Sequence, residues 1–144
     1  MGEAEIASKQ AGGSMIHRLT IAVHPGFYAI CRLDPKAEMP SWVPRKGFCS
    51  ITRTAEELSI VCEEHGVPAD APAERGRRLL RIEGTLPFSL AGVVASVASP
   101  LAEAQISLFV IATYDTDYLL IREGDLERAV ATLESSGHTV RRIS

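Results

Sequence analysis

The hydrophobic pattern changes period several times in the second half of the chain. Leu90, Val93, Val94, Val97 and Leu101 recur at the three- and four-residue spacing of an amphipathic helix. Residues 106–112 and 118–121 follow as two apolar runs rich in β-branched and aromatic side chains, which predicts strands. Between them lies the polar turn Thr113-Tyr114-Asp115-Thr116-Asp117. Residues 79–83 read as a strand before the helix, and residues 139–143 as a last strand. Residues 124–136 read as a second helix whose buried stripe is Leu126, Ala129, Val130 and Leu133. The order is βαββαβ, an α+β, ferredoxin-like unit.

Helix punctuation supports these bounds. Ser89 is placed to cap the first helix with its side chain, and Pro100 to kink or shorten its last turn. Gly137 fits the left-handed position that ends the second helix. Only Ser107 interrupts the apolar run 106–112, so both faces of that strand are expected to be buried. Helices can cover one face of such a sheet, which leaves Phe109 and Ile111 on the other face needing cover.

The first half is strand-rich and helix-poor. Leu19, Ile21 and Val23 alternate with Thr20, Ala22 and His24, a half-buried strand. Pro25-Gly26 is a turn signal before a strand over 27–33, which predicts a hairpin. Residues 34–46 hold Pro35, Pro40, Pro44 and Trp42, an irregular connection with one helical turn near Trp42. Strands over 48–53 and 58–62 join at Thr54-Ala55-Glu56-Glu57, and residues 63–76 form a connector with a short helix at most. The expected division is a flexible tail at 1–14, a strand-rich unit at 15–74 and a regular unit at 75–144. The first unit is either complete or borrows an element from the other half.

Composition narrows the function classes. The chain has 144 residues, 46% hydrophobic, enough for one medium core or two small ones. A net charge of −3 gives no electrostatic footprint for nucleic acid. Arg75, Arg77, Arg78 and Arg81 lie beside Glu74 and Glu83 and read as a salt-bridged or solvated edge. No apolar run reaches the roughly 18 residues that cross a bilayer, and the first ten residues are too polar for a signal peptide. Cys31, Cys49 and Cys62 lack CxxC spacing and fall inside apparent strands, as buried free thiols of a reducing cytosol do. His17, His24, His65 and His138 are scattered, which suggests surface imidazoles. Neither a metal site, a cofactor nor a Cys/His nucleophile is expected.

Three places carry candidate binding chemistry. The helix start Ser89-Leu90-Ala91-Gly92 offers backbone amides and a positive dipole end to a carboxylate, or is simply a capped helix. The turn holding Thr113, Tyr114 and Asp117 can take an ammonium group, or is a solvated Asx turn. In a βαββαβ unit these two places are expected at opposite ends of one sheet, so that two packed repeats are needed to join them around one ligand. Ser50, Thr52 and Arg53 form a third cluster, in which Arg53 pairs with a ligand carboxylate or loosely with Glu56 or Glu57.

The run Gly84-Thr85-Leu86-Pro87-Phe88-Ser89-Leu90-Ala91-Gly92-Val93, the segment Leu101-Ala102-Glu103-Ala104-Gln105-Ile106-Ser107 and the turn Thr113-Tyr114-Asp115-Thr116-Asp117-Tyr118 resemble an ACT domain. Pro25-Gly26-Phe27-Tyr28-Ala29-Ile30-Cys31-Arg32-Leu33 and Phe48-Cys49-Ser50-Ile51-Thr52-Arg53-Thr54 resemble the first half of small bacterial tandem-ACT proteins. These are similar to the ACT repeats of the arginine sensor CASTOR. The resemblance implies two ACT-like units and a non-catalytic regulatory module, with an amino acid bound at an ACT–ACT interface; leftover strand edges favour a homodimer, and the free thiols a place in the cytoplasm. It places Ser89, Leu90, Ala91 and Gly92 against the ligand backbone, and Thr113, Tyr114 and Asp117 against its polar groups. Ala91 and Ala95 occupy the face where an acidic residue would serve a cationic side chain, so an amino acid is implied without arginine being singled out. The alternatives are an assembly module that binds nothing small, and an acid–base enzyme using Asp115 or Asp117 with Arg53 and a histidine.

Overall fold

Ten strands and two helices account for the regular structure of the described residues, 5–11, 14–84 and 91–144 of a computed structural model. In chain order they are β1 (Glu5–Ala11), β2 (Ser14–Arg18), β3 (Thr20–Val23), β4 (Tyr28–Leu33), β5 (Cys49–Arg53), β6 (Leu58–Glu63) and β7 (Ala73–Ile82). Then come α1 (Val93–Glu103), β8 (Leu108–Ala112), β9 (Asp117–Arg122), α2 (Leu126–Ser135) and β10 (Thr139–Arg142). Two compact units result: Met1–Pro25 together with Leu79–Ser144, and Gly26–Arg78. The units are therefore not consecutive in sequence, as the division at residue 74 had them. β7 runs through the boundary.

The first unit has the predicted βαββαβ order, β7-α1-β8-β9-α2-β10, with β3 added to its sheet and β1-β2 as a separate two-stranded sheet. Its sheet order is β10-β3-β7-β9-β8. β3 lies parallel to β10 and antiparallel to β7, so the N-terminal segment supplies a central strand of the C-terminal unit. The first half, read as either complete or borrowing an element, here lends one. The hairpin expected across Pro25-Gly26 does not form: β3 pairs with β10 and β7, and β4 with β6 and β7. Backbone pairing of β1 with β2 replaces the expected tail over residues 5–11.

Helices and sheet enclose one apolar core. Ile21, Val23, Leu80, Ile82, Leu119 and Ile121 from the strands meet Val97 and Leu101 of α1 and Ala129 and Leu133 of α2. The stripe predicted on α2 is buried throughout. A Schellman motif ends that helix, with His138 N–H donating to Leu133 O at 3.1 Å and Gly137 N–H to Glu134 O at 3.0 Å; Gly137 has φ +98°.

α1 begins later than the periodicity predicts. Gly92, at φ +82°, holds the N-cap position and has no side chain to cap the helix; Ser89, expected in that role, lies outside the described residues. Pro100 sits within the helix, which continues to Glu103.

The second unit pairs β7, β4, β6 and β5 in that order, all antiparallel, around Ala29, Cys31, Leu58, Ile60 and Cys62. The connector expected over 63–76 contains only the 3₁₀ turn Glu64–Gly66 before β7 starts at Ala73. Near Trp42 the backbone makes a turn closed by Val43 N–H to Pro40 O at 3.2 Å, and no helix. A bulge interrupts β7 where Tyr28 faces Arg77 but Ile30 faces Glu74. Gly76 takes the left-handed conformation there, at φ +70°, which a side chain would strain.

One burial expectation fails. β8 is an edge strand of the first unit, with β9 as its partner. Phe109 is 38% and Val110 40% exposed, so the strand is not buried on both faces. An edge position removes neighbours from the side as well as from above, which an apolar run cannot report.

Candidate functional site

The C-terminal end of β7 organises the candidate site. Register fixes what its last carbonyl can reach. His24 N–H donates to Leu79 O and Glu83 N–H to Thr20 O, both at 2.9 Å. Pair types alternate along an antiparallel ladder, so Ile82 opposite Ile21 is a non-hydrogen-bonded pair and its carbonyl points away from β3. Thr116 meets it there, its Oγ1 donating to Ile82 O at 2.6 Å in a buried setting. The β8–β9 turn is thus pinned to the end of β7 from which the chain leaves for α1.

That contact overturns the expectation of opposite ends. α1 carries the chain back along β7, so β8 must run parallel to β7 and finish beside its end. One unit brings the helix start and the Thr113–Asp117 turn to the same end of its sheet.

The turn is internally fastened. Thr113 N–H donates to Thr116 O at 2.8 Å, Thr113 Oγ1 to the same oxygen at 3.0 Å, and Thr116 N–H to Thr113 Oγ1 at 3.3 Å. Tyr114 is 79% exposed, and Asp115 is exposed. Asp117 is half-buried, and burial raises its carboxyl pKa above the usual value. No hydrogen bond or ion pair engages that carboxylate among the described residues.

Two histidines, missed as core residues by the sequence, hold the helix start. His17 is fully buried; its Nε2 meets Ala91 O at 2.5 Å, and its backbone N–H meets Ser96 Oγ at 3.3 Å. A carbonyl can only accept, so Nε2 carries the proton. His138, 5% exposed, accepts from Leu19 N–H through Nδ1 at 3.1 Å and donates from Nε2 to Ser96 O at 2.9 Å. Ser96 O is the carbonyl that residue 100 would bond in a regular helix. Proline has no N–H to give, and His138 supplies the donor instead. Ser96 Oγ closes the network on Gly92 O at 2.8 Å.

Among the described residues, the helix start therefore presents amides with no side-chain cap and no acidic residue in the first turn. Such a terminus favours an anion. Near the same end Glu83 accepts from Arg141 Nε at 3.1 Å and also from Nη2. That hydrogen-bonded guanidinium holds the Glu83 carboxyl below its usual range.

Of the expected residues, Ala91, Gly92, Thr113, Tyr114 and Asp117 fall at this end of the first unit. Ser89 and Leu90 lie outside the described residues. Ser50, Thr52 and Arg53 belong to β5 of the second unit. There Arg53 donates to Pro35 O, not to Glu56 or Glu57. An open groove of about 410 Å³ runs between the C-terminal part of α1 and α2, lined by Pro100, Glu103, Arg128 and Thr132, and is remote from the helix start. Among the described residues, no group of three or more His, Cys, Asp or Glu is placed to hold a metal ion. No helix there is long and apolar enough to cross a membrane.

A family model described as "ACT domain" matches residues 73–135, and a second model, of an N-terminal domain, matches residues 26–70. The human and bovine proteins named cytosolic arginine sensor for mTORC1 subunit 1 are 30% and 32% identical over 116 and 106 residues. These matches cover 71% and 64% of this chain but 35% and 32% of theirs. The chain thus spans about a third of the length of these curated relatives. Protein Atu0741 of Agrobacterium tumefaciens is 38% identical with a TM-score of 0.84, covering 88% of this chain and 95% of that one. The aspartate kinase of Clostridium acetobutylicum, described as an allosteric enzyme, has a TM-score of 0.59 at 12% identity, over 81% of this chain and 34% of its own. At that identity the likeness is one of fold alone.

Proposed function

Because the chain belongs to the ACT-domain proteins of the CASTOR type, we propose that it is a non-catalytic regulatory module of the cytoplasm that binds an amino acid. The observation that carries this reading is the meeting of the α1 start, with a glycine at its N-cap, and the Thr113–Asp117 turn at one end of the first unit's sheet. The two surfaces suit the two ends of a zwitterion. Amides of the first turn of α1 take the carboxylate. Asp117, whose charged form is disfavoured by burial and which lacks a partner among the described residues, takes the ammonium group. A second ACT unit closing over this end completes the site, so the ligand lies at an ACT–ACT interface and can report its presence through assembly. The relatives named as arginine sensors support an amino acid as the ligand class.

Thermal unfolding with each of the twenty amino acids tests the proposal. One or two should raise the midpoint in a concentration-dependent way, since a ligand that binds only the folded state stabilises it by mass action. No rise with any of them at millimolar concentration overturns it.

A second reading is favoured by the exposed Phe109 and Val110 on the edge strand β8. Here the module serves only to join a partner chain. Association that proceeds unchanged with and without every amino acid would support it over the first.

A further inference from the structure

We propose that Cys49 and Cys62 form a dithiol site, which a peroxide oxidises to a cross-strand disulfide tying the edge strand β5 to β6. The three cysteines lie on three adjacent strands of the second unit, and the register separates them. Cys49 stands directly opposite Cys62. Cys31 stands opposite Ile60, two residues from Cys62 along β6.

Hydrogen bonding at the hairpin end decides the geometry of each pair. Thr54 N–H donates to Glu57 O at 2.9 Å, which makes Thr54 and Glu57 a hydrogen-bonded pair. Counting back through Arg53–Leu58, Thr52–Ser59, Ile51–Ile60 and Ser50–Val61, the pair type alternates. Cys49–Cys62 is therefore a non-hydrogen-bonded pair. Such pairs have Cα atoms about 4.5 Å apart and the closer side chains, within the roughly 4.4–6.8 Å that a disulfide spans. Cys31 and Cys62 are diagonal neighbours, about 7–8 Å apart, beyond that span.

Exposure sets the order of events. Cys31 and Cys62 are buried, whereas Cys49 is half-buried on a strand that has β6 as its ladder partner. Burial raises the Cys49 thiol as well, and with the Cys31 and Cys49 sulfurs next in importance pushes the Cys62 thiol up to about 12, so Cys62 stays protonated and the more accessible Cys49 attacks first in alkaline buffer. Cys49 as thiolate attacks one oxygen of hydrogen peroxide; the O–O bond breaks, hydroxide leaves and Cys49 becomes a sulfenic acid. The Cys62 sulfur then attacks Cys49 Sγ. The S–O bond breaks, and the departing hydroxide takes the Cys62 thiol proton as water. Two thiols lose two electrons and two protons, and the peroxide is reduced to two waters.

The test is peptide mapping by mass spectrometry without reduction, after treating the folded full-length chain with millimolar hydrogen peroxide in mildly alkaline buffer. The expected result is a peptide pair linked through Cys49 and Cys62, lighter by two hydrogens, with Cys31 free. The Cys31→Ser chain should form the same link and the Cys49→Ser chain none. Three free thiols, oxidation of Cys49 only to sulfinic or sulfonic acid, or a link through Cys31 in the wild-type chain would each overturn the assignment.

Discussion

Replacing His138 by alanine tests whether a side chain stands in for the hydrogen bond that Pro100 cannot make. The imidazole satisfies two backbone groups, Leu19 N–H and Ser96 O. Each such group left without a partner costs about 1–3 kcal/mol when buried. The Leu19 amide is fully buried and the Ser96 carbonyl partly so, so the single substitution should cost about 2–4 kcal/mol once the two are summed. The informative comparison is the same substitution beside Pro100→Ala. An alanine at position 100 brings an N–H one turn after Ser96 and can bond its carbonyl directly. His138→Ala should then cost about 1 kcal/mol less, because only the Leu19 amide remains orphaned. Urea unfolding of the four chains gives this as a coupling energy in a double-mutant cycle. Costs that add to within about 0.5 kcal/mol, the scatter for independent sites, would refute the substitution of one donor for the other.

Four further outcomes follow from the packing and the site. Thr116→Val should destabilise by about 1–3 kcal/mol by orphaning Ile82 O, whereas Thr116→Ser, which keeps the hydroxyl, should cost about 1 kcal/mol or less for its lost methyl; the two are ranked by urea unfolding. Burial raises the Asp117 pKa in the fold, so stability is lost as pH rises from the unfolded to the folded value. Asp117→Asn should therefore raise the melting temperature at neutral pH, leave it unchanged in acid below both values, and abolish any amino-acid-dependent shift. Leu133→Ala, at a fully buried position between helix and sheet, should cost about 2–5 kcal/mol by calorimetry. Light scattering at micromolar concentration should give twice the 15.5 kDa of one chain if the exposed face of β8 joins two copies.

Legibility in the sequence followed how local the determining interaction was. The stripe of α2 could be read because four residues on about two turns of helix decide it among themselves. Gly137 was readable for the same reason. The place of β3 was not: Leu19, Ile21 and Val23 alternate in the same way whether the strand lies next to β4 or between β7 and β10. Pro25-Gly26 supplies a turn without stating which strands it joins. Phe109 and Val110 are as apolar as buried residues, and only the edge position of β8 exposes them. At the site, the carboxylates and hydroxyls of the Thr113–Asp117 turn were visible, but their position relative to the helix start depended on strand direction. Pro100 did announce an unsatisfied Ser96 carbonyl. Nothing near it in sequence named His138 as the donor.

The strand β3 has a consequence for how the chain comes off the ribosome. Gly26–Arg78 draws its strand partners from within its own span, with β5 and β6 joined as a hairpin and β4 pairing with β6. It can close while translation continues. The other unit cannot, because Thr20 pairs with Thr139 and Val23 with Arg142. β3 must wait, unpaired on one side, until β10 has been made. Contacts of such separation slow folding, and an apolar strand held open for that interval is exposed to wrong partners. Removing Thr139–Arg142 would therefore strip a neighbour from a strand made long before it.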